Sequence, residues 1–125
     1  MIVKNIPNYK IITMKYTFAI PLENGRLCSH FGHCEQFAII NVENNTIIDE
    51  KLITPPPHEP GLLPGWLAER GVTDVIAGGM GQRAISLFEA QHIRVNVGAQ
   101  PKAPEELVAD WLKNSLVTGN NACDH

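Results

Sequence analysis

Apolar residues run along this chain in short blocks, and the spacing within each block predicts its element. Lys15-Tyr16-Thr17-Phe18-Ala19-Ile20 is aromatic and β-branched in part. It predicts a first strand over Tyr16–Ile20, closed by Pro21. Leu22–Cys34 is polar and broken by Gly25 and Gly32, so it reads as loop. Phe37–Val42 predicts a second strand and Thr46–Ile53 a third. Asn44-Asn45 between them is a turn signal, because asparagine tolerates the left-handed conformation, and the two strands form a hairpin. Thr54–Gly61 holds Pro55, Pro56, Pro57 and Pro60 and excludes helix or central strand, since proline removes a donor and fixes φ. Pro64 suits the first turn of a helix that ends near Arg70, with Gly71 as a left-handed stop. Val72–Ala77 reads as a buried strand and Gln82–Gln91 as a helix, where Ile85 and Ala84 share a face with Phe88. Arg94–Val97 is a further strand, closed by Gly98. Pro104–Leu116 predicts a last helix, with Leu107, Val108, Trp111 and Leu112 at spacings of three and four. Glu105 and Glu106 stand in its first turn, where the helix dipole favours negative charge. Gly119–His125 is a tail.

The order β, β, β, α, β, α, β, α is that of an α/β chain, with a hairpin section first and βαβ crossovers after. A mixed five-stranded sheet with helices on its faces is expected. No internal repeat is visible, and the proline run is the only biased segment. At 125 residues the chain suits one domain with one core. That domain is expected over residues 14–118, and residues 119–125 form a flexible Cys/Asp/His tail. Met1–Thr13 reads as a flexible extension, an artefact of the start codon, or an added edge strand.

Composition narrows the function classes. Hydrophobic residues make up 44% and charged residues 18%, as in ordinary globular proteins. Net charge is −3, and the 10 Lys and Arg are scattered, which argues against duplex nucleic acid or an anionic membrane as the main partner. No apolar run approaches the ~20 residues of a membrane span. Three cysteines make no secreted disulfide framework. Met1–Thr13 lacks the apolar stretch of a signal peptide. A cytoplasmic protein with reduced thiols is expected.

Four places could carry chemistry. Cys28-Ser29-His30-Phe31-Gly32-His33-Cys34 gathers two thiols and two imidazoles in one loop, donors suited to zinc, copper or iron–sulfur species. Its spacing fits no zinc-finger pattern, and buried thiols with solvated histidines are the plain alternative. Cys123-Asp124-His125 adds the terminal carboxylate and reads as a chelating tail or a disordered end. His58 is framed by prolines that would present its imidazole at little entropic cost, or it is a linker histidine. Gly78-Gly79-Met80-Gly81 lies between a strand and a helix, where amides attract anions. It is neither a dinucleotide fingerprint nor a P-loop, and a tight turn explains it equally. No Gly-x-Ser-x-Gly elbow is present, and no close acid pair suggests two-metal chemistry. A thiol–imidazole pair at Cys28 or Cys34 with His30 lacks further support as a nucleophile and base.

Phe18-Ala19-Ile20-Pro21, Ser29-His30-Phe31-Gly32 followed by Phe37, Val75 to Ala84, and Phe88 to Gly98 occur in this order and separation. On these residues the sequence resembles the dinitrogenase iron–molybdenum cofactor biosynthesis family, the NifX-like nitrogenase accessory domains, over about Met14 to Leu116. The resemblance implies a ribonuclease-H-like fold without ribonuclease activity. It also implies binding or carrying of iron–molybdenum cofactor, its iron–sulfur precursors or a related molybdenum–sulfur cluster. By that resemblance His30, with Phe31 and Gly32, matches the cofactor-binding motif, and Gly78, Gly79, Met80 and Gly81 match a loop lining the same cleft. His30 is also nominated as a metal ligand, with Cys28, Cys34, His33, His58, Cys123 and His125 added from their chemistry. The chain lacks a radical-SAM cysteine triad, so it resembles the accessory domain and not the synthase.

The expectation is therefore a non-enzymatic cluster carrier, with cluster donor and acceptor proteins as partners. Two other readings stand beside it. One is a mononuclear zinc or copper regulatory protein. The other is a metal-free interaction module using the proline segment and Trp66.

Overall fold

The computed structural model describes residues 14–31, 34–57, 59 and 61–119. The expectations for Met1–Thr13, Gly32, His33, His58, Cys123, Asp124 and His125 lie outside the described residues. The strands are β1 (Lys15–Glu23), β2 (Arg26–Leu27), β3 (Gln36–Glu43), β4 (Thr46–Ile53), β5 (Asp74–Ile76) and β6 (Arg94–Asn96). The helices are α1 (Leu62–Ala68), α2 (Gln82–Ala90) and α3 (Pro104–Leu112). The sheet runs β4-β3-β1-β5-β6, antiparallel from β4 to β1 and parallel from β1 to β6. This is the expected mixed α/β sheet in a ribonuclease-H-like arrangement. The two-residue β2 pairs with β1 and makes six strands where five were expected.

That sixth strand corrects the reading of Leu22–Cys34 as loop throughout. Asn24 and Gly25 both have positive φ, 55° and 78°, as the two-residue hairpin turn between β1 and β2 requires. Asn-Gly is the dipeptide best suited to that turn, so the signal stood in the sequence. Pro21 does not close β1 either. It pairs with Phe37 of β3, and its carbonyl accepts from Cys28 N–H at 2.8 Å. In an extended residue the N and C=O point to the same side. The missing proline donor therefore faces the short β2 side and takes nothing from the ladder to β3.

β1 alternates between two cores. Phe18, Ile20 and Leu22 pack with Ile40, Val42, Ile76, Leu107 and Val108 on the α3 face. Ala19 joins Phe37, Ile39, Val75, Leu67 and Phe88 on the face of α1 and α2. Both faces are covered, so Phe18 to Leu22 are all buried. The α3 helix stops at Leu112, short of the expected Leu116. Asn114 turns left-handed at φ 59° and Ser115 N–H bonds back to the Asp110 carbonyl at 2.8 Å, a Schellman closure that ends the helix. Glu106 caps the other end, accepting from Ala103 N–H at 3.2 Å. No helix among the described residues is long and apolar enough to cross a membrane.

Asp74 is fully buried at the start of β5. Its carboxylate accepts from the Thr73 hydroxyl at 2.6 Å and from Arg94 Nε and Nη2 at 2.9 and 3.0 Å. Asp74→Ala should cost about 1–3 kcal/mol in a urea melt, the loss of buried charge-assisted hydrogen bonds. The cost stays at that level because Arg94 remains largely exposed and can take up water. An unchanged midpoint would show that the cluster adds nothing net.

Candidate functional site

The site grows from three segments that leave the strands at one end of the sheet. The segment from Cys28 follows β2, Gly78–Gly81 follows β5, and Gly98–Ala99 follows β6. Backbone contacts knit them. His30 and Gly79 form a parallel bridge, and Phe31 N–H donates to the Gly79 carbonyl at 2.9 Å. Gly98 N–H donates to the Gly78 carbonyl at 2.7 Å. Gly78 is glycine for a steric reason. A Cβ there would stand 3.1 Å from the carbonyl oxygens of both Cys28 and Ser29. The structure thus brings the histidine loop and the glycine loop together.

Their side chains divide by exposure. His30 is exposed, whereas Phe31 is buried beside it. The Phe31 ring lies 5.4 Å from Phe88, edge-to-face, and 5.7 Å from Phe37. An apolar anchor therefore fixes the backbone that carries the imidazole. Met80 is buried in the same core and packs there, not at the surface. Gly81 precedes α2, whose first-turn N–H groups have no acceptor within the helix and point toward this end of the sheet.

The thiols stand differently. Cys28 is buried and donates to the His30 carbonyl at 3.1 Å, so it braces the histidine loop from within. Burial pushes its thiol up, and Glu23 and Glu35 add to this against the backbone at His30. Cys34 is half-buried and pushed up to about 11 by burial, with Cys28 adding. Both are therefore protonated at neutral pH, and a metal on either would have to displace a proton. Cys34 opens into a cleft of about 90 Å³ with Pro55, Pro56, Pro57, Glu59, Leu62 and Leu63. The proline run is thus drawn to the far end of the cysteine loop. Among the described residues no three His, Cys, Asp or Glu side chains converge on one point.

Gly98 escaped the candidate residues, although it follows a short strand just as Gly78 does. Its φ is 80°, and its carbonyl accepts from Gly119 N–H at 2.8 Å. Thr118 also bridges Ala99. The last described residue is thereby held next to the glycine loop.

Residues 14–114 match the family described as dinitrogenase iron-molybdenum cofactor. The chain belongs to that family. Within the dinitrogenase iron-molybdenum cofactor family, the matched span runs from the start of β1 to the closure of α3. An uncharacterized protein of Methanocaldococcus jannaschii, MJ0580, is 35% identical over 113 residues, covering 86% of this chain and 95% of its own. The crystal structure of PH0822 superposes with a TM-score of 0.76 at 25% identity, covering 84% of this chain and 94% of its own. The apo form of the orange protein from Desulfovibrio gigas shares the fold, with a TM-score of 0.68 at 18% identity over 84% of this chain and 93% of its own.

Proposed function

We propose that this member of the dinitrogenase iron-molybdenum cofactor family binds and carries a metallocluster without catalysing a reaction on it. The cargo is iron–molybdenum cofactor, an iron–sulfur precursor or a related molybdenum–sulfur cluster. The observation that carries the reading is the His30–Gly79 bridge, which sets an exposed imidazole beside a glycine loop and the start of a helix. An imidazole donates to a metal, while amides at a helix start hydrogen-bond sulfide or oxo groups and offset negative charge. An exposed imidazole on an open edge also suits a carrier, which must release what it holds to an acceptor protein. Cys28 braces the loop, and Cys34 and the proline cleft flank it.

The test is protein prepared without oxygen and incubated with iron, molybdate and sulfide, followed by elemental analysis and an optical spectrum. The native chain should emerge coloured and hold metal with sulfide. His30→Ala should lose most of that load with only a small change in its thermal melt, because His30 is exposed. Equal retention in both proteins would remove His30 from the site. A colourless protein holding one zinc or copper per chain would replace the cluster reading with a mononuclear one.

A further inference from the structure

β4 ends the sheet on its antiparallel side and, among the described strands, pairs with β3 alone. Such an edge leaves alternate backbone N–H and C=O groups without a ladder. From Thr46 to Thr54 the strand reads Thr-Ile-Ile-Asp-Glu-Lys-Leu-Ile-Thr. The sequence is complementary to itself about Glu50. Ile48 mirrors Leu52, Asp49 mirrors Lys51, and Ile47 mirrors Ile53. Two antiparallel copies of a strand related by a twofold axis at one residue bring such mirrored positions face to face. We infer that β4 is a self-pairing edge, joining a second copy of this chain antiparallel through Ile48–Leu52 with the twofold axis at Glu50.

Three features of β4 support this. The first is charge. The axis at Glu50 sets Asp49 of each copy opposite Lys51 of the other, giving two opposite-charge pairs. The second is apolar surface. Ile48 and Leu52 are 53% and 54% exposed, and each would cover the other's counterpart. The third is how these pairs sort by face. Glu50 and Leu52 pair with Ile40 and Ala38, which belong to the α3-side core. Asp49 and Lys51 pair with Asn41 and Ile39 on the opposite side. The joined strands would thus have Glu50 and Leu52 on one face and the Asp49–Lys51 charge pairs on the other.

Lysine and a bulge commonly close an edge against pairing. Here they select the register. The irregularity falls between the pairs Asn41–Asp49 and Val42–Ile47 and leaves Ile48 as the extra residue, so the regular stretch begins at Asp49. Moving the axis to Lys51 would set lysine against lysine. Moving it to Asp49 would set Lys51 against Ile47. At Glu50 itself the two carboxyls meet. Burial and Glu105 at the start of α3 push the Glu50 carboxyl up to about 7, so the pair does not oppose two full charges near neutrality. The pairing leaves the loops at β5 and β6 open, because β3 and β1 stand between them and the edge.

Sedimentation velocity on the full chain, from micromolar to millimolar concentration, tests the inference independently of any metal. The native mass should climb from monomer toward dimer. Lys51→Glu replaces both attractive pairs by repulsive ones and should weaken association about tenfold. Asp49→Lys should do the same. The double variant Asp49→Lys/Lys51→Glu restores opposite charges in this register alone and should recover the native association. A native mass that stays monomeric throughout would overturn the inference. So would a double variant that associates no better than either single one.

Discussion

Gly78→Val should separate the two loops and abolish cluster retention. Even the first added carbon would stand 3.1 Å from two backbone carbonyl oxygens, those of Cys28 and Ser29. Neither oxygen belongs to a flexible side chain, so the strain must move main chain. Overpacking of this kind costs about 1–3 kcal/mol. Its functional effect exceeds its effect on stability, because the displaced segment carries His30. The direct readout is hydrogen exchange at the Phe31 amide, which bonds the Gly79 carbonyl at 2.9 Å. Its protection should collapse toward that of an open loop while amides of β3 keep theirs. A Phe31 amide as protected as in the native chain would show that the loops tolerate the branch and that Gly78 is no steric hinge.

Phe88→Ala should be the most destabilising single change beneath the site. Phe88 is fully buried on α2 and meets Phe31 edge-to-face at 5.4 Å, with Phe31 in turn 5.7 Å from Phe37. Truncation removes the ring at one end of this stack. Phe→Ala in a core costs about 3–5 kcal/mol, a large share of the ~5–15 kcal/mol that holds a domain folded. The denaturant midpoint should fall with little change in slope, the signature of lost stability without a change in exposed surface. The cavity would lie directly under the backbone that presents His30, so cluster affinity should fall as well. An unfolding free energy within about 0.5 kcal/mol of native, the range of ordinary surface changes, would mean that the stack contributes no more than surface packing.

Much of this architecture was legible without coordinates. Apolar runs at Phe18–Ile20 and Phe37–Val42, the Asn44-Asn45 turn and the three- and four-residue spacing in α2 and α3 specify elements through local geometry. Pro21 lies within β1 and does not end it, because a proline ends a strand only when its nitrogen faces the partner. Here it faces β2, a fact of strand orientation that no local pattern carries. Asn24-Gly25 is a hairpin-turn dipeptide, and the β1–β2 turn is legible in it. The end of α3 depended on Asn114 adopting a left-handed conformation, which asparagine allows but does not compel.

The site divides in the same way. The chain by itself determined the order of elements apart from β2, the family resemblance, and the placing of His30 and Gly78–Gly81 in loops after strands. These follow from residue type and spacing along one chain. Tertiary structure decided that β1 lies between β3 and β5, and therefore that loops some fifty residues apart share a bridge. It also turned the candidates to different tasks. His30 faces solvent, Phe31 and Met80 are buried in the core, and the Cys28 thiol is turned inward onto a carbonyl. Donor chemistry is a property of the residue, and exposure is a property of everything packed around it.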